Sequence, residues 1–580
     1  MKKDYYLIVD IGGTWLKGVL INISDNEMFY DIPTLVQKTS VTKVRCRLSI
    51  SASSADFIAA IKDLISSLPV KDKISGIGIS TAGIVNYHGT KLIYSAGHLK
   101  ALTDTAWIDY LKKEVCPVVT LINDADATAI GAASKGYLSG NRVIGVMPVG
   151  TGLGFSVWRN GRKWQPNFSM TLLGCTYTPD GYYDNLASAS LLSTMNEEND
   201  LCSIFTNDFY KDMRKKYIRD LSGIITTAHI LYKVDKILIG GGLADAVCHC
   251  DFPLAREIKK EMIKTPLLTS DRVAIEVMKE GNNLPLIGAA LLAIGEKVAH
   301  EVKLQKEYND ISTEMPFDSN LHLEKQPIKD LIHLLWQNEQ LAGENMKNSL
   351  PVIGDVVEIV ADKLRRGGRL IYIGSGTSGR LAAIDAVELS CTFGFPRDKV
   401  ITFISGGVAD AAIDIESGFE EDASSVPELL LANVNPSDVV IGISVSGSAY
   451  YVQSGLGFAK FIGAYTIMIQ EQYADSLPFC DKIIPLGSGN EVLAGSTRMK
   501  AGTATKKVLN FISTSVMIRL GKVHGCYMTE LECINEKLVK RALHILQALY
   551  PMNEDEAYNL LSCNNFKLNQ AIQHIETIKG

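Results

Sequence analysis

No apolar run in these 580 residues reaches the roughly 18 that a membrane-spanning helix needs; Leu284 to Ile294 is among the longest and is too short. A surplus of charge is missing as well. The formal net charge of −6 gives no reason to expect nucleic acid or an anionic membrane surface as a partner. The eleven cysteines include no C-x-x-C pair, and Cys248-His249-Cys250 is their only cluster, so free thiols in a reducing cytoplasm are expected rather than a disulfide framework. Met1-Lys2-Lys3-Asp4 leads directly into a strand-like run, Tyr5 to Val9, and no signal peptide is visible. The length exceeds what one core organises and implies two to four domains.

What is present is glycine in the right places. Arg369 to Glu388 reads RLIYIGSGTSGRLAAIDAVE: a buried-strand run, a loop Gly374-Ser375-Gly376-Thr377-Ser378-Gly379-Arg380, then an Ala-rich helical segment. Glycines admit close backbone approach, hydroxyls add donors, and a helix start aims free N–H groups into the loop, so an anion belongs there. Gly374, Gly376 and Gly379 also satisfy G-x-G-x-x-G. A dinucleotide site would place an acidic residue at the end of the next strand, and Val400 to Ile404 ends in Ser405-Gly406-Gly407 instead. A phosphorylated small molecule is therefore expected, with a purely structural turn as the alternative.

Further strand-like runs follow at Val439 to Ile443, Tyr465 to Ile469 and Lys482 to Pro485, alternating with helical segments, which predicts a parallel sheet covered on both faces. Ligands in such sheets sit beyond the carboxyl ends of the strands. The loop Ser444-Val445-Ser446-Gly447-Ser448 should then stand beside the first one.

GRLIYIGSGTSGRLAAIDAVE, GSTRMKAGTATKKVLN (Gly495 to Asn510) and IRLGKVHG with NEKL (Ile518 to Leu538) resemble the N-acetylmuramic acid 6-phosphate etherases, which are built on the sugar isomerase (SIS) fold, a doubly wound parallel αβα sandwich. The resemblance runs from about Thr313 to the C-terminus. It implies Glu388 as general acid and Glu420 as base, with Glu421 a near alternative. It also implies Ser375, Thr377, Ser378, Ser444, Ser446, Ser496, Arg498 and Lys500 as sugar or phosphate ligands, with no cofactor in this half. One loop departs: the family's A-S-G-R-T-P-Y-V is here Val445 to Val452, VSGSAYYV, without the Arg that could meet a carboxylate or phosphate.

The first half carries its own glycine turns. Tyr5 to Val9 ends in Asp10-Ile11-Gly12-Gly13-Thr14, and a second apolar run, Gly18 to Ile21, completes a hairpin whose turn can cradle phosphate. Val149-Gly150-Thr151-Gly152-Leu153-Gly154 follows the strand Val143 to Met147, and Gly240-Gly241-Gly242 closes another, Ile237 to Ile239. Between them Asn123-Asp124 opens a helix at a strand end. The pair can be a plain helix cap, or an amide and a carboxylate that position an alcohol and take its proton.

DIGGTWLKG, GIGISTAGIV, NDADATAIGAA, VGTGLG, ILIGGG and LPLIGAALLA resemble the ROK sugar kinases over about residues 1 to 298. That family has the actin-like (ribonuclease H-like) two-lobed fold. The resemblance implies Asp124 as general base and Asn123 as sugar ligand. It places ATP with Mg²⁺ on Asp10, Gly12, Gly13, Thr14, Gly150, Thr151, Gly152, Gly154, Gly241 and Gly242. The E-x-G-H motif and the C-x-C-G-x-x-G-C zinc knot of many ROK kinases are replaced by Ser169 to Ser188, SMTLLGCTYTPDGYYDNLAS, and no zinc is expected because Cys175 alone cannot make a four-ligand site.

The expected layout is α/β throughout: a kinase domain over 1–298, a polar linker over 299–326, an SIS domain over 327–540 and a small helical tail over 541–580. The two halves imply a bifunctional enzyme that phosphorylates N-acetylmuramic acid or a related amino sugar and then removes the 3-O-lactyl group. Its partners would be a small amino sugar, its 6-phosphate and a second copy of the SIS domain. A sugar-phosphate sensor like the glucokinase regulatory protein, or an etherase with a degenerate kinase lobe, are the alternatives.

Overall fold

The computed structural model describes residues 4–12, 15–23, 32–45, 52–68, 74–86, 89–95, 97–138, 143–159, 162–163, 173–179, 181–194, 200–264, 273–303, 312–407, 419–421, 423–474, 476–530, 533 and 535–579. They form two compact units: Met1–Glu301 with Asp422–Val434, and Val302–Glu421 with Asn435–Gly580.

In the first unit β1 (Asp4–Ile11) and β2 (Trp15–Ile23) make the expected hairpin, with Asp10 opposite Lys17. With β3 (Thr42–Arg45), β4 (Ile74–Thr81) and β5 (Val119–Asn123) they form a five-stranded sheet in the order β3-β2-β1-β4-β5. Helix α1 (Asp124–Ser134) starts the moment β5 ends. A second five-stranded sheet holds β6 (Val143–Pro148), β7 (Ser156–Arg159), β8 (Arg162–Lys163), β9 (Lys236–Gly240) and, after α2 (Gly241–His249), β10 (Ala274–Val277), in the order β8-β7-β6-β9-β10. Each sheet has its own apolar core, one around Leu7, Ile77, Phe57 and Trp107, the other around Met147, Ile237, Leu221 and Leu243.

Helix α3 (Leu284–Val302) is buried over most of its length and crosses α1 backbone to backbone. A Cβ on Gly131 would collide with the Leu284 carbonyl oxygen, and one on Gly288 with that of Ala127. This explains why NDADATAIGAA and LPLIGAALLA each place a glycine among alanines: only a missing side chain lets two helices approach so far.

In the second unit α4 (Ile328–Glu344) and α5 (Leu350–Arg365) lead into β11 (Leu370–Gly374) and α6 (Gly376–Phe393). Then come β12 (Val400–Ile404), β13 (Val439–Ile443), α7 (Tyr450–Ile462), β14 (Tyr465–Gln470), β15 (Lys482–Pro485) and α8 (Lys500–Arg519). The five strands are parallel throughout, in the order β12-β11-β13-β14-β15. Every residue of β11 and β13 is buried, as a doubly covered sheet requires. Arg369, just before β11, pairs with the buried Asp438 at the foot of β13 (Nη2 to Oδ2, 2.6 Å) and locks those two strands in register.

Two sequence boundaries shift. The loop expected over Gly374 to Arg380 is shorter, because α6 begins at Gly376, so Thr377 and Ser378 belong to its first turn. The stretch expected as a linker is helical to Val302, and Thr313 within it is fully buried, its carbonyl accepting the Gly495 N–H at 2.8 Å. The tail forms α9 (Glu536–Leu549), α10 (Glu554–Cys563) and α11 (Leu568–Lys579) around its own small apolar core. Among the described residues no helix is long and apolar enough to cross a membrane.

Candidate active sites

In the first unit the glycine turns converge. Gly241 has φ +74°, a conformation that glycine enters freely, and a Cβ there would stand 2.6 Å from the Val149 carbonyl oxygen. Val149 in turn donates its N–H to Gly240 O (3.0 Å) and accepts from Leu243 N (3.1 Å), so the start of α2 is bound directly to the turn Gly150 to Gly154. Gly242 lies in that same first turn. Of the first phosphate turn, Asp10 and Gly12 are placed; Gly13 and Thr14 lie outside the described residues.

Asp10 ends β1 with 8% of its surface exposed, its Oδ2 3.2 Å from Lys17 Nζ and its Oδ1 accepting from Ser80 Oγ (3.1 Å). Asp124 opens α1 and is electrostatically coupled to it. Burial first, then the Asp10 charge, push the Asp124 carboxyl up to about 6, against the bond its oxygen accepts from Ala125 N–H. A carboxylate tuned toward neutrality suits a general base. Asn123 does what the plainer reading of the pair foresaw. Its Oδ1 caps α1 by accepting from Ala125 N (2.9 Å) and Asp126 N (3.3 Å), while its Nδ2 donates to Gly83 O (2.9 Å).

Two acids of this unit carried no sequence signal beyond position. Asp126 is buried and accepts from Ser156 Oγ at 2.6 Å, which ties α1 to the second sheet. Asp184 accepts from Leu153 N–H at 2.6 Å, inside the second phosphate turn, and burial raises its carboxyl above the usual range. It lies in the stretch where the zinc knot is missing. Among the described residues no group of His, Cys, Asp and Glu is placed to hold a metal ion by itself.

In the second unit the carboxyl edge of the sheet gathers hydroxyls. Gly374 and Gly379 touch backbone to backbone: a Cβ on Gly374 would sit 2.8 Å from Gly379 Cα. Ser375, between them, is 7% exposed, and its Oγ is buried with no hydrogen-bond partner. The Ser405 Oγ at the end of β12 is likewise unpartnered, and its N–H donates to Gly374 O at 3.1 Å. An unpaired buried hydroxyl is costly unless a ligand completes it. Ser444 accepts from Ala449 N–H (3.4 Å) at the start of α7, and Ser446 and Ser448 share a hydrogen bond of 2.7 Å. Thr377 faces the start of α8, its Cγ2 4.0 Å from where a Cβ on Gly502 would be, which brings the Gly495 to Lys500 loop to the first loop.

The remaining expected ligands divide. Ser378 is partly buried in α6, Ser496 is partly buried, and Arg498 is exposed. Lys500, expected on the phosphate, keeps its ammonium inside instead: it is 2% exposed and donates to Asn338 Oδ1 (2.9 Å) and Asn490 O (2.8 Å). Burial lowers its pKa, against the pull of Glu491, Glu471 and Glu339. A buried cation has to be met by acceptors, and these are the nearest.

Glu388 is exposed on the fourth turn of α6, with Thr392 Oγ1 donating at 3.5 Å, and Glu420 is exposed in the short turn Phe419–Glu421. Asp385, one turn before Glu388, was not foreseen. It is buried, and both oxygens are engaged, by Tyr372 OH (2.9 Å) and Ser513 Oγ (2.8 Å), so it pins α6 to β11 and α8 together.

Known proteins divide along the same line. Residues 6–296 match the ROK family model, and residues 351–460 match the model described as the glucokinase regulatory protein N-terminal SIS domain. An N-acetylmuramic acid 6-phosphate etherase of Geobacillus thermodenitrificans is 39% identical over 248 residues, 43% of this chain and 84% of the relative. The etherase of Rhodopirellula baltica is 34% identical over 274 residues, 47% of this chain and 91% of the relative. The chain belongs to the ROK family in its first half and to the N-acetylmuramic acid 6-phosphate etherases in its second. A solved ROK glucokinase from Streptomyces griseus, in complex with glucose and AMPPNP, aligns with 50% of this chain and 99% of its own at 18% identity and a TM-score of 0.39. This ROK–etherase chain fuses a unit of the ROK family to one of the etherase family with an SIS domain.

Proposed function

We infer that the two halves act in sequence: ATP-dependent phosphorylation of N-acetylmuramic acid at O6, then cleavage of the product to N-acetylglucosamine 6-phosphate and D-lactate. The observation that carries this reading is the fusion itself. The relatives of the second half are named for a sugar 6-phosphate, and a ROK kinase in the same chain is the kind of enzyme that makes one.

In the first half Asp124 takes the proton of the 6-hydroxyl as phosphorus is attacked, and its raised pKa lets it accept at neutral pH. The ATP phosphates lie along the turns of Asp10 to Thr14, Gly150 to Gly154 and Gly241-Gly242. Asp10, a carboxylate at the mouth of the first turn, is the residue that would hold the divalent cation. When bound, Mg²⁺ neutralises triphosphate charge.

In the second half the phosphate rests on the Ser375 to Ser378 and Ser444 to Ser448 loops. Glu420 removes the C2 proton, made acidic by the C1 aldehyde of the open-chain sugar. The C3–O bond breaks as Glu388 protonates the departing lactyl oxygen, and water adds back at C3. Two carboxyl groups in different protonation states are what this elimination asks for.

Both glutamates are exposed in the single chain, and so are apolar side chains of this unit: Val387 beside the acid is 62% exposed, and Ile328, Ile332 and Trp336 of α4 are exposed as well. A homodimer through this surface would cover them, in a cytoplasmic enzyme supplied with ATP.

Incubation with N-acetylmuramic acid and Mg²⁺, with and without ATP, should release D-lactate only with ATP. The match to the glucokinase regulatory protein domain favours one other reading, a sensor that binds the sugar phosphate without converting it. No lactate from the 6-phosphate itself, together with full affinity in Glu388→Gln, would select the sensor.

A further inference from the structure

The loop before α7, Ser444 to Ala449, carries no cation of its own, and the structure brings one to the helix it opens. Val302 and Lys303 open the second unit. A Cβ on Gly457 would stand 2.6 Å from Val302 Cγ2, so the valine is seated in the notch that this glycine leaves on α7. Tyr450, the first residue of α7, is seven residues earlier and therefore on the same face two turns away. Lys303 spans that interval: its ammonium lies over the Tyr450 ring, 4.5 Å from the centroid. The lysine is exposed, so the ring holds one side of the ammonium while N–H donors remain open to a ligand.

We propose that Lys303, held by Tyr450, is the specificity-determining cation of the etherase site, contacting the carboxylate of the substrate's 3-O-lactyl group. The proposal rests on the etherase reading. Three features converge on it. Ser448 and Tyr450 occupy the loop where the arginine is absent, and the same loop's Ser444 and Ser446 stand at the carboxyl edge of the sheet with the start of α7 behind them. Val302 fixes the origin of the lysine, so its charge is confined rather than free. Tyr450 is the first residue of the helix that this loop opens, and an aromatic ring is what a lysine reaching from another segment needs in order to be held.

The test compares two sugar phosphates that differ only in the lactyl group. In a Glu388→Gln background, which stops turnover, the affinities of N-acetylmuramic acid 6-phosphate and N-acetylglucosamine 6-phosphate are measured with and without Lys303→Met. Loss of a charge-assisted contact should weaken the first about tenfold and leave the second within about twofold. Lys303→Arg should retain the preference, and Ser448→Arg should restore it to Lys303→Met. Equal weakening of both ligands would show that Lys303 merely anchors the segment and would overturn the proposal, as would no change in either. Lactate release by the unmodified protein decides the etherase reading separately: with lactate and an unmoved affinity ratio, only the role of Lys303 fails.

Discussion

Asp124 offers a measurement that separates its chemical role from its structural burden. Its carboxyl moves from 3.8 to about 6 because burial and the Asp10 charge disfavour ionisation. At about 1.4 kcal/mol per pH unit, the ionised form costs the folded state about 3 kcal/mol. Below pH 3.8 the group is protonated whether folded or unfolded, and no cost arises. Between 3.8 and about 6 the unfolded chain gives up its proton first, so stability falls as pH rises; above about 6 the whole cost is present. Asp124→Asn removes the charge but keeps the shape. It should raise the melting temperature of the kinase unit by about 5 °C at pH 7.5 and by about half of that at pH 5, while cutting phosphoryl transfer by a factor of about 10² to 10⁴. Calorimetry at the two pH values, following the transition that ATP with Mg²⁺ shifts, checks both. No gain at pH 7.5, or the same gain at pH 5, would refute the account of the raised pKa.

Other outcomes follow from packing and pairing. Gly288→Ala puts a methyl group into the Ala127 carbonyl oxygen and should cost about 2 kcal/mol or more while displacing α1, seen as a lower kinase-unit melting temperature with lost ATP turnover and intact lactate release. Asp438→Ala strands Arg369 beside a buried strand end and should cost the second unit about 3 kcal/mol, read from its denaturant midpoint. Metal analysis of the purified chain should find no stoichiometric zinc; one zinc per chain would mean that the altered Ser169 to Ser188 stretch still builds a metal site.

The strands were legible before any coordinates. Val400 to Ile404, Val439 to Ile443 and Lys482 to Pro485 stand where their apolar runs placed them; the central one is buried at every residue and apolar throughout, as a strand covered on both faces has to be, while the two edge strands are only partly buried. The glycine turns were legible too, since glycine among β-branched residues marks a place where backbones must approach. The start of α6 was misplaced by several residues because glycine and serine, usual in loops, also occupy the first turn of this helix. Asp385, Asp126 and Asp184 could not be singled out: an isolated acid looks the same in sequence whether it is solvated or buried.

Local composition by itself therefore determined the strands, the glycine turns and the two-part division of the chain. Tertiary structure alone decided how side chains are used. It turned Lys500 inward to Asn338, from 162 positions away, caps α1 with Asn123, and sets Lys303 over Tyr450. The reason is physical. Strand and turn preferences act between neighbours in sequence, whereas the partner of a charge is chosen by whatever acceptors the completed fold brings within reach.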